Sequence, residues 1–289
     1  MSKKVLLATV KPFSPLARDQ VVEILKEAGY DVPLLESYPE QADFVKAVAD
    51  ANAIIIRSDK VTAEVLDNAP ELKLVVRAGS GYDNVDCAHA KDKGVLVMNT
   101  PGQNANAVAE LVLGLMVMQV RGRYNGKPGR ELREKTLGIH AFGYVGKAVM
   151  RVAKGFGMKI CAYDPFVDAK DIEAEGATPM ESAEALYKAC DYVSIHMPAT
   201  PKTIDSIGKD LLTLLPEGGT LINTARKEVV HDQELLEVFE ARPDFRYIAD
   251  IQPAAEVHDQ LAEKYADRYI FTPKKMGAQT LEANVNAGV

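Results

Sequence analysis

The 289-residue sequence has no surplus of positive charge: 34 lysines and arginines face 41 aspartates and glutamates, a formal net charge of −7. That leaves no basic footprint for a nucleic-acid partner. No apolar run approaches the ~18 residues of a membrane helix, so no membrane association is expected. Met1-Ser2-Lys3-Lys4 leads straight into a strand-like segment, which is not how a signal peptide begins. Cysteine is scarce. Cys87, Cys161 and Cys190 are odd in number, far apart in sequence and without metal-ligand spacing. They read as reduced core thiols of a cytoplasmic protein, with no metal site. Internal repeats, low-complexity tracts and flexible linkers are also missing. Any two domains must then be joined through structured elements. The length suits two domains, and a 47% apolar content is ample for two cores.

What is present is a regular alternation. Val5 to Val10 reads as a strand. Ser14-Pro15 opens a helix whose stripe is Val21, Ile24, Leu25 and Ala28, closed by Gly29. Asp31 to Leu35 is a strand that Pro33 assigns to an edge. Phe44 to Val48 belong to a helix, and Ala53-Ile54-Ile55-Ile56 is a continuous apolar strand of the kind covered on both faces. Thr62 to Ala69 is helical. Leu74-Val75-Val76 is a strand ending on Arg77, as the previous one ends on Arg57-Ser58. Two arginines at neighbouring strand tips could clamp an anion or could make surface ion pairs. The glycine-bearing loop Ala78 to Asp86 at the same tip favours anion binding, since its backbone N–H groups could hold a carboxylate. After the strand Val95 to Met98 comes a long apolar helix, Ala105 to about Val120, expected to be buried. The first domain boundary is expected near Thr100.

The stretch Thr136 to Asp164 is a βαβ unit with most of a dinucleotide fingerprint. A strand, Thr136 to His140, enters the turn Ala141-Phe142-Gly143-Tyr144-Val145-Gly146. A helix follows, then a strand ending on Asp164. Gly143 would let backbone approach a pyrophosphate at the helix N-terminus, and Gly146 would let helix and strand pack closely. Asp164, roughly 20 residues on, could accept the ribose hydroxyls of NAD and would repel a 2′-phosphate. The first fingerprint glycine is replaced by Ala141, which suggests a slightly wider turn. Further strands follow at Asp191 to His196, Thr220 to Thr224, Tyr247 to Ala249 and Tyr269 to Phe271, with helices at Ser182 to Cys190, Asp210 to Leu215 and from a cap at Asp232 to Phe239. Arg226 and Asp250 fall at carboxyl ends of this second set. The class is α/β, with two doubly wound parallel-sheet domains.

The segments Arg77 to Asp86, Asn99 to Asn104 with Ala109-Glu110-Leu111, Asp191 to Pro198, Asn223-Thr224-Ala225-Arg226 and Gly277-Ala278-Gln279-Thr280 together resemble the D-isomer-specific 2-hydroxyacid dehydrogenases. The likeness covers nearly the whole chain and is nearest to the branch that oxidises phosphoglycerate. It implies a Rossmann NAD-binding domain, residues 100–277, inserted in a flavodoxin-like substrate domain, residues 1–99 and 278–289. It also implies a homodimer built on the NAD domain and a small 2-hydroxy or 2-oxo acid substrate, expected to be phosphorylated. By the same match Arg226 holds the substrate carboxylate and carbonyl, Gly79, Ser80 and Gly81 cup the carboxylate, and Arg57, Ser58 and Arg77 meet the phosphate. Asp164 takes the ribose and Asp250 the nicotinamide carboxamide. Asn104, Phe142, Gly143, Tyr144, Val145, Gly146, His196, Pro198, Thr203, Thr224 and Ala225 line the cofactor site. Read without the resemblance, His196 is a satisfied buried histidine.

Two positions depart from the family pattern. The acid expected five residues after Asp250 is Ala255, with Glu256 one step further. The acid–base histidine is absent from Thr272-Pro273-Lys274-Lys275-Met276-Gly277, where Lys275 or Lys274 takes its place depending on the anchor; the Gly277 anchor selects Lys275. A phosphoglycerate-oxidising subgroup with lysine there fits the likeness, as does the short loop Arg121 to Lys135. Burial beside Arg226 and oxidised nicotinamide is expected to lower that lysine from its free pKa of about 10.4. The reading is NAD-dependent oxidation of D-3-phosphoglycerate at the entry to serine synthesis. Its rivals are a dehydrogenase of another small 2-hydroxy acid and a non-catalytic NAD(H)-sensing protein. The sequence stops a few residues into a helix that begins near Thr280, so serine feedback through a C-terminal regulatory domain is not expected.

Overall fold

A computed structural model describes residues 2–288 as two compact units. The first runs to Asn104 and resumes at Thr280; the second is Ala105–Gln279. The breaks fall a few residues after the positions expected from sequence.

The first unit is a five-stranded, all-parallel sheet. Its elements are β1 (Val5–Thr9), α1 (Pro15–Glu27), β2 (Leu34–Glu36), α2 (Gln41–Ala47), β3 (Ala53–Ile56), α3 (Ala63–Asp67), β4 (Leu74–Arg77), α4 (Cys87–Asp92) and β5 (Leu96–Asn99). The strand order is β2-β1-β3-β4-β5, the flavodoxin-like arrangement. Ser14 caps α1 by accepting the Ala17 N–H, and proline follows at the first helical position, as the sequence suggests. β2, with its preceding proline, is indeed an edge strand. One sheet face is packed by Phe44, Val48, Val65 and Leu66 from α2 and α3. The other meets Phe13, Ala17 and Val21 around Leu7. The six-residue α4 was not foreseen. It buries only Ala90, so no apolar stripe announces it.

The second unit contains α5 (Ala105–Val120), β6 (Thr136–His140), α6 (Tyr144–Gly155), β7 (Lys159–Tyr163), α7 (Ala169–Ala174), β8 (Thr178–Pro179), α8 (Ala183–Ala189) and β9 (Tyr192–Ile195). It continues through α9 (Lys209–Leu212), β10 (Thr220–Asn223), α10 (Asp232–Ala241), β11 (Arg246–Ala249), α11 (Ala255–Lys264) and β12 (Tyr269–Phe271). The seven strands are parallel in the order β12-β11-β10-β9-β6-β7-β8, which turns direction between β6 and β9. This is the doubly wound dinucleotide-binding order with one strand added. Strands β9 and β10 are buried at every position, as strands between two helical layers must be. α6 buries Gly146, Ala148, Val149, Met150 and Ala153, and α5 buries seven residues including Val112, Leu113 and Met116. Each fully buried valine or methionine contributes about 1.5–3 kcal/mol of transfer free energy. Helices α7 and α11 and the two-residue β8 were not foreseen. The α10 cap is His231, whose Nδ1 accepts the Glu234 N–H at 3.3 Å; Asp232, expected to cap, is the first helical residue. The last helix, α12 (Leu281–Gly288), belongs to the first unit and packs on α1.

Candidate active site

In the second unit the parallel order sets six strand tips in a row at one sheet edge. β12 leads to Lys274 and Lys275, β11 to Asp250, β10 to Thr224, Ala225 and Arg226, β9 to His196 and Pro198, β6 to the Ala141–Gly146 turn and β7 to Asp164. Ligands of doubly wound sheets bind at this carboxyl edge, around the point where strand order reverses.

The turn after β6 is built for a phosphate group. Gly143 is exposed at the N-terminus of α6, where no side chain caps the helix. A Cβ added there would meet nothing within 4 Å, so the helix end is open. Its first N–H groups and its dipole favour an anion. Gly146 is required for the opposite reason: a Cβ would lie 2.5 Å from the Ala141 carbonyl oxygen and 2.9 Å from Ile139. The turn is not widened for Ala141. That residue takes φ 78°, the left-handed conformation glycine would have used. Phe142 is buried beneath the turn, while Tyr144 is exposed and Val145 half-buried beside it.

Asp164 fixes this turn. Its Oδ2 accepts the Phe142 N–H at 2.8 Å and its Oδ1 the Phe166 N–H at 2.9 Å. Each oxygen keeps a second lone pair for a ribose hydroxyl. At the neighbouring tips, His140 Nδ1, His196 Nε2 and Thr224 Oγ1 are buried polar atoms with no hydrogen-bond partner among the described residues. Burial holds the His140 imidazole down to about 4 and that of His196 down to about 3, so both rings are neutral at pH 7. His196 is partly accessible as a residue, but its Nε2 is shut off from solvent. Its Nε2 lacks the partner that a satisfied buried histidine would have among the described residues. These groups, with the open helix end and Asp164, fit a bound dinucleotide. Thr203 is closed on its own loop: its hydroxyl donates to the Pro198 carbonyl at 2.5 Å and accepts the Thr200 N–H at 2.8 Å.

Asn223 shapes the β10 tip. Its Oδ1 accepts the Ala225 N–H at 3.0 Å, and its amide donates to the Arg226 carbonyl at 2.9 Å. The half-buried Arg226 is thereby held at the start of a short 3-10 turn, with Nη1 on the Ala225 carbonyl at 2.9 Å. Asp250, fully buried, grips the lysine loop. Oδ1 accepts the Met276 N–H at 2.7 Å and lies 2.8 Å from the Thr272 hydroxyl, while Oδ2 accepts the Gly277 N–H at 2.8 Å. Three of its four lone pairs thus serve the loop, which leaves one for a cofactor amide. Asp250 holds the Lys275–Met276 and Met276–Gly277 peptides, so Lys275 is anchored more closely than Lys274. Both lysines are exposed. Glu256 is exposed in the first turn of α11.

In the first unit, Arg57 and Arg77 end adjacent strands, with Arg77 in register with Ile56. Asn84 ties the two tips, donating to the Arg57 and Asp59 carbonyls at 3.2 and 2.6 Å. Gly79 has φ 143°, and a Cβ on it would fall 1.5 Å from Arg77 Nη1. Only glycine allows the guanidinium to lie against this loop. Ser80 donates to Asn104 Oδ1 at 3.0 Å and accepts the Gly102 N–H at 3.3 Å, which stiffens the turn through Gly81. Asn104, matched to the cofactor by resemblance, thus supports the Gly79–Gly81 loop of the first unit. Ser58 is exposed beside the buried Asp59, which accepts the Val10 N–H, the Tyr38 hydroxyl and the Arg57 N–H. Arg57 is more committed than its sequence position implies. Its Nη1 donates to the Pro12 carbonyl at 3.0 Å and its Nη2 to Asn284, with the guanidinium over the Phe13 ring. Sequence reading also passed over Asp59, Asn223 as a turn former and Thr272. Their roles lie in contacts between strand ends, which periodicity does not reveal.

Among the described residues no helix is long and apolar enough to cross a membrane, and no cluster of histidine, cysteine and carboxylates could hold a metal ion.

Residues 107–273 match the family model of the D-isomer specific 2-hydroxyacid dehydrogenase NAD binding domain. A hydroxypyruvate reductase of Thermotoga maritima is 32% identical over 275 residues, covering 90% of this chain and 88% of that protein. A D-3-phosphoglycerate dehydrogenase of Methanocaldococcus jannaschii is 33% identical over 95% of this chain, which spans only 54% of the relative's length. The crystal structure of NAD+-bound 3-phosphoglycerate dehydrogenase from Entamoeba histolytica superposes with a TM-score of 0.90 at 40% identity, covering all of this chain and 92% of that one. The fingerprint turn, the row of strand tips and these matches agree: the chain belongs to the D-isomer-specific 2-hydroxyacid dehydrogenase family and is an NAD-dependent oxidoreductase of that family.

Proposed function

We propose that the protein interconverts D-3-phosphoglycerate and 3-phosphohydroxypyruvate, with NAD supplying the hydride acceptor. The observation that carries this reading is the Arg57–Arg77 pair on adjacent strands beside the Gly79–Gly81 loop. One substrate end needs a carboxylate cup and the other a dianion site. Phosphoglycerate dehydrogenases among the relatives support the choice.

In this reading Arg226 binds the carboxylate and polarises the substrate carbonyl. Lys275 gives its proton to the oxygen as hydride reaches the carbon in the reducing direction, and takes it back in oxidation. A protonated, exposed lysine is already a competent acid for reduction, so this direction needs no lowered pKa. Asp164 selects NAD by accepting ribose hydroxyls. Asp250 holds the lysine loop and offers its remaining lone pair to the nicotinamide amide. A homodimer through the NAD-binding unit, a cytoplasmic location and a place in serine biosynthesis belong to the same proposal. Light scattering tests the first.

A second reading has its own support. The Arg57 guanidinium is already hydrogen-bonded to Pro12 and Asn284, and a hydroxypyruvate reductase matches across nearly its whole length. An unphosphorylated 2-oxo acid would have no use for the Arg57–Arg77 pair. Rates with NADH against phosphohydroxypyruvate, hydroxypyruvate, glyoxylate and 2-oxoglutarate separate the two. NADH binding without turnover of any of them would indicate the NAD(H)-sensing role.

A further inference from the structure

Two of the three cysteines, distant in sequence, meet in the fold. Cys161 of β7 lies directly across from Gly138 of β6. Side chains at one register level of neighbouring parallel strands point to the same sheet face. At Gly138 that face is filled by Cys190, the residue that ends α8. A Cβ built on Gly138 would come within 3.0 Å of Cys190 Sγ and 3.2 Å of its Cβ. The missing side chain of Gly138 is therefore the space through which Cys190 reaches the sheet, and Cys161 borders the same space. Cys190 is fully buried; Cys161 is partly accessible.

The pairing changes the chemistry of both thiols. Hydrogen bonding from Cys190 favours the Cys161 thiolate and holds that thiol below its ordinary value, against the opposing effect of burial. The Cys190 thiol, as the donor and the more buried partner, is pushed up. A thiol shifted toward its thiolate, with some solvent access and a second thiol beside it, has the features of a peroxide-sensitive cysteine and its resolving partner. Cys87, in the other unit, is pushed up by burial. None of the three takes part in the hydride chemistry.

We propose that Cys161 and Cys190 are a redox-sensitive pair: hydrogen peroxide oxidises Cys161, Cys190 closes an intrachain disulfide, and the cross-link weakens cofactor binding. In the first step the Cys161 thiolate attacks one peroxide oxygen. The O–O bond breaks, hydroxide leaves, and sulfur becomes a sulfenic acid; peroxide gains the two electrons that sulfur loses. In the second step Cys190 sulfur attacks the sulfenic sulfur. The S–O bond breaks, and the departing hydroxide takes the Cys190 proton as water. The new bond draws the Cys161 and Cys190 sulfurs to bonding distance, which pulls β7 toward α8. Three residues further along, Asp164 sets the phosphate turn through the Phe142 N–H. A shift of β7 therefore reaches the cofactor turn directly.

The test treats the intact protein with hydrogen peroxide, blocks remaining thiols by alkylation, and maps peptides without reduction. The expected product is a Cys161–Cys190 linked peptide pair, two hydrogens lighter than the reduced peptides and released by dithiothreitol, with Cys87 recovered alkylated. NADH titration by its own fluorescence should show a several-fold loss of affinity on oxidation, restored by dithiothreitol. Cys190→Ser and, independently, Cys190→Ala should give no cross-link and leave Cys161 trapped as higher oxides. Absence of the linked pair while Cys87 reacts would overturn the site. Unchanged NADH affinity in fully cross-linked protein would overturn its coupling to the cofactor.

Discussion

The Gly277 amide donates to Asp250 Oδ2 over 2.8 Å, while the adjacent Met276 amide donates to Oδ1 over 2.7 Å. One buried carboxylate at the end of β11 thus holds the loop that presents both lysines. A Cβ at Gly277 would lie 3.0 Å from Oδ2, a tight contact to which the carboxylate would have to yield. Asp250→Asn keeps the size but turns an NH2 group toward one of the two amides, donor against donor. Loss of a hydrogen bond to a charged group costs about 1.5–3 kcal/mol. At that size kcat at saturating NADH should fall about 10- to 100-fold. Thermal melting should also drop. Unchanged turnover in Asp250→Asn would show that the loop does not depend on this carboxylate.

Ala141 occupies the left-handed region at φ 78°, where an L-residue is disfavoured by about 1–2 kcal/mol. Glycine removes that strain but adds freedom to the unfolded chain, which offsets up to about 1 kcal/mol. Ala141→Gly should therefore raise unfolding free energy in urea by about 1 kcal/mol or less. The turn already has the glycine geometry, so NADH affinity should rise little. A loss of stability would mean that the alanine methyl makes compensating contacts.

The lysines separate by their attachment. Lys275 adjoins a peptide that Asp250 holds; Lys274 does not. Lys275→Ala should abolish turnover while NADH binding, followed by fluorescence, survives. Lys274→Ala should do much less. Full activity in Lys275→Ala would remove it from the mechanism.

His140 and His196 predict the acid limb of stability. Burial depresses both below the ordinary histidine value, to about 4 and about 3. Between about pH 6.5 and those values the unfolded chain binds protons that the native state refuses. Stability should hold above pH 6.5, fall as pH drops toward 4, and level off once the native rings protonate. Urea midpoints across this range check the slope. His140→Gln or His196→Gln should flatten it, and an unchanged slope in the double variant would contradict the assignment.

Much of this was legible in sequence because the signals are local. The β6–α6–β7 unit announces itself through Gly143, Gly146 and Asp164 at fixed spacing, and both sheets through short apolar runs that end on charged residues. What stayed hidden depends on residues that meet only after folding. α11 buries just Val257 and Leu261 on a polar helix, which gives periodicity little to register. The commitment of Arg57 needs Asn284, 227 residues away. The grip of Asp250 needs amides some 26 residues further on. The Cys161–Cys190 contact needs β6 and β7 paired so that Gly138 leaves room between them. Ala141 illustrates the limit most simply. Its identity is plain in the sequence, yet whether the turn widens or the residue takes strain is decided by the packing of Gly146 against the Ala141 carbonyl.

The most direct test of the proposed substrate is a pair of steady-state measurements with NADH, one on 3-phosphohydroxypyruvate and one on hydroxypyruvate, in the parent and in Arg77→Ala. The account predicts a clear preference of the parent for the phosphorylated acid. A lost charge-assisted contact of about 1.5–3 kcal/mol should raise its KM about 10- to 100-fold in Arg77→Ala. The KM for hydroxypyruvate should change little. A parent that prefers hydroxypyruvate, with Arg77→Ala affecting both acids alike, would contradict the phosphoglycerate assignment and favour the reductase.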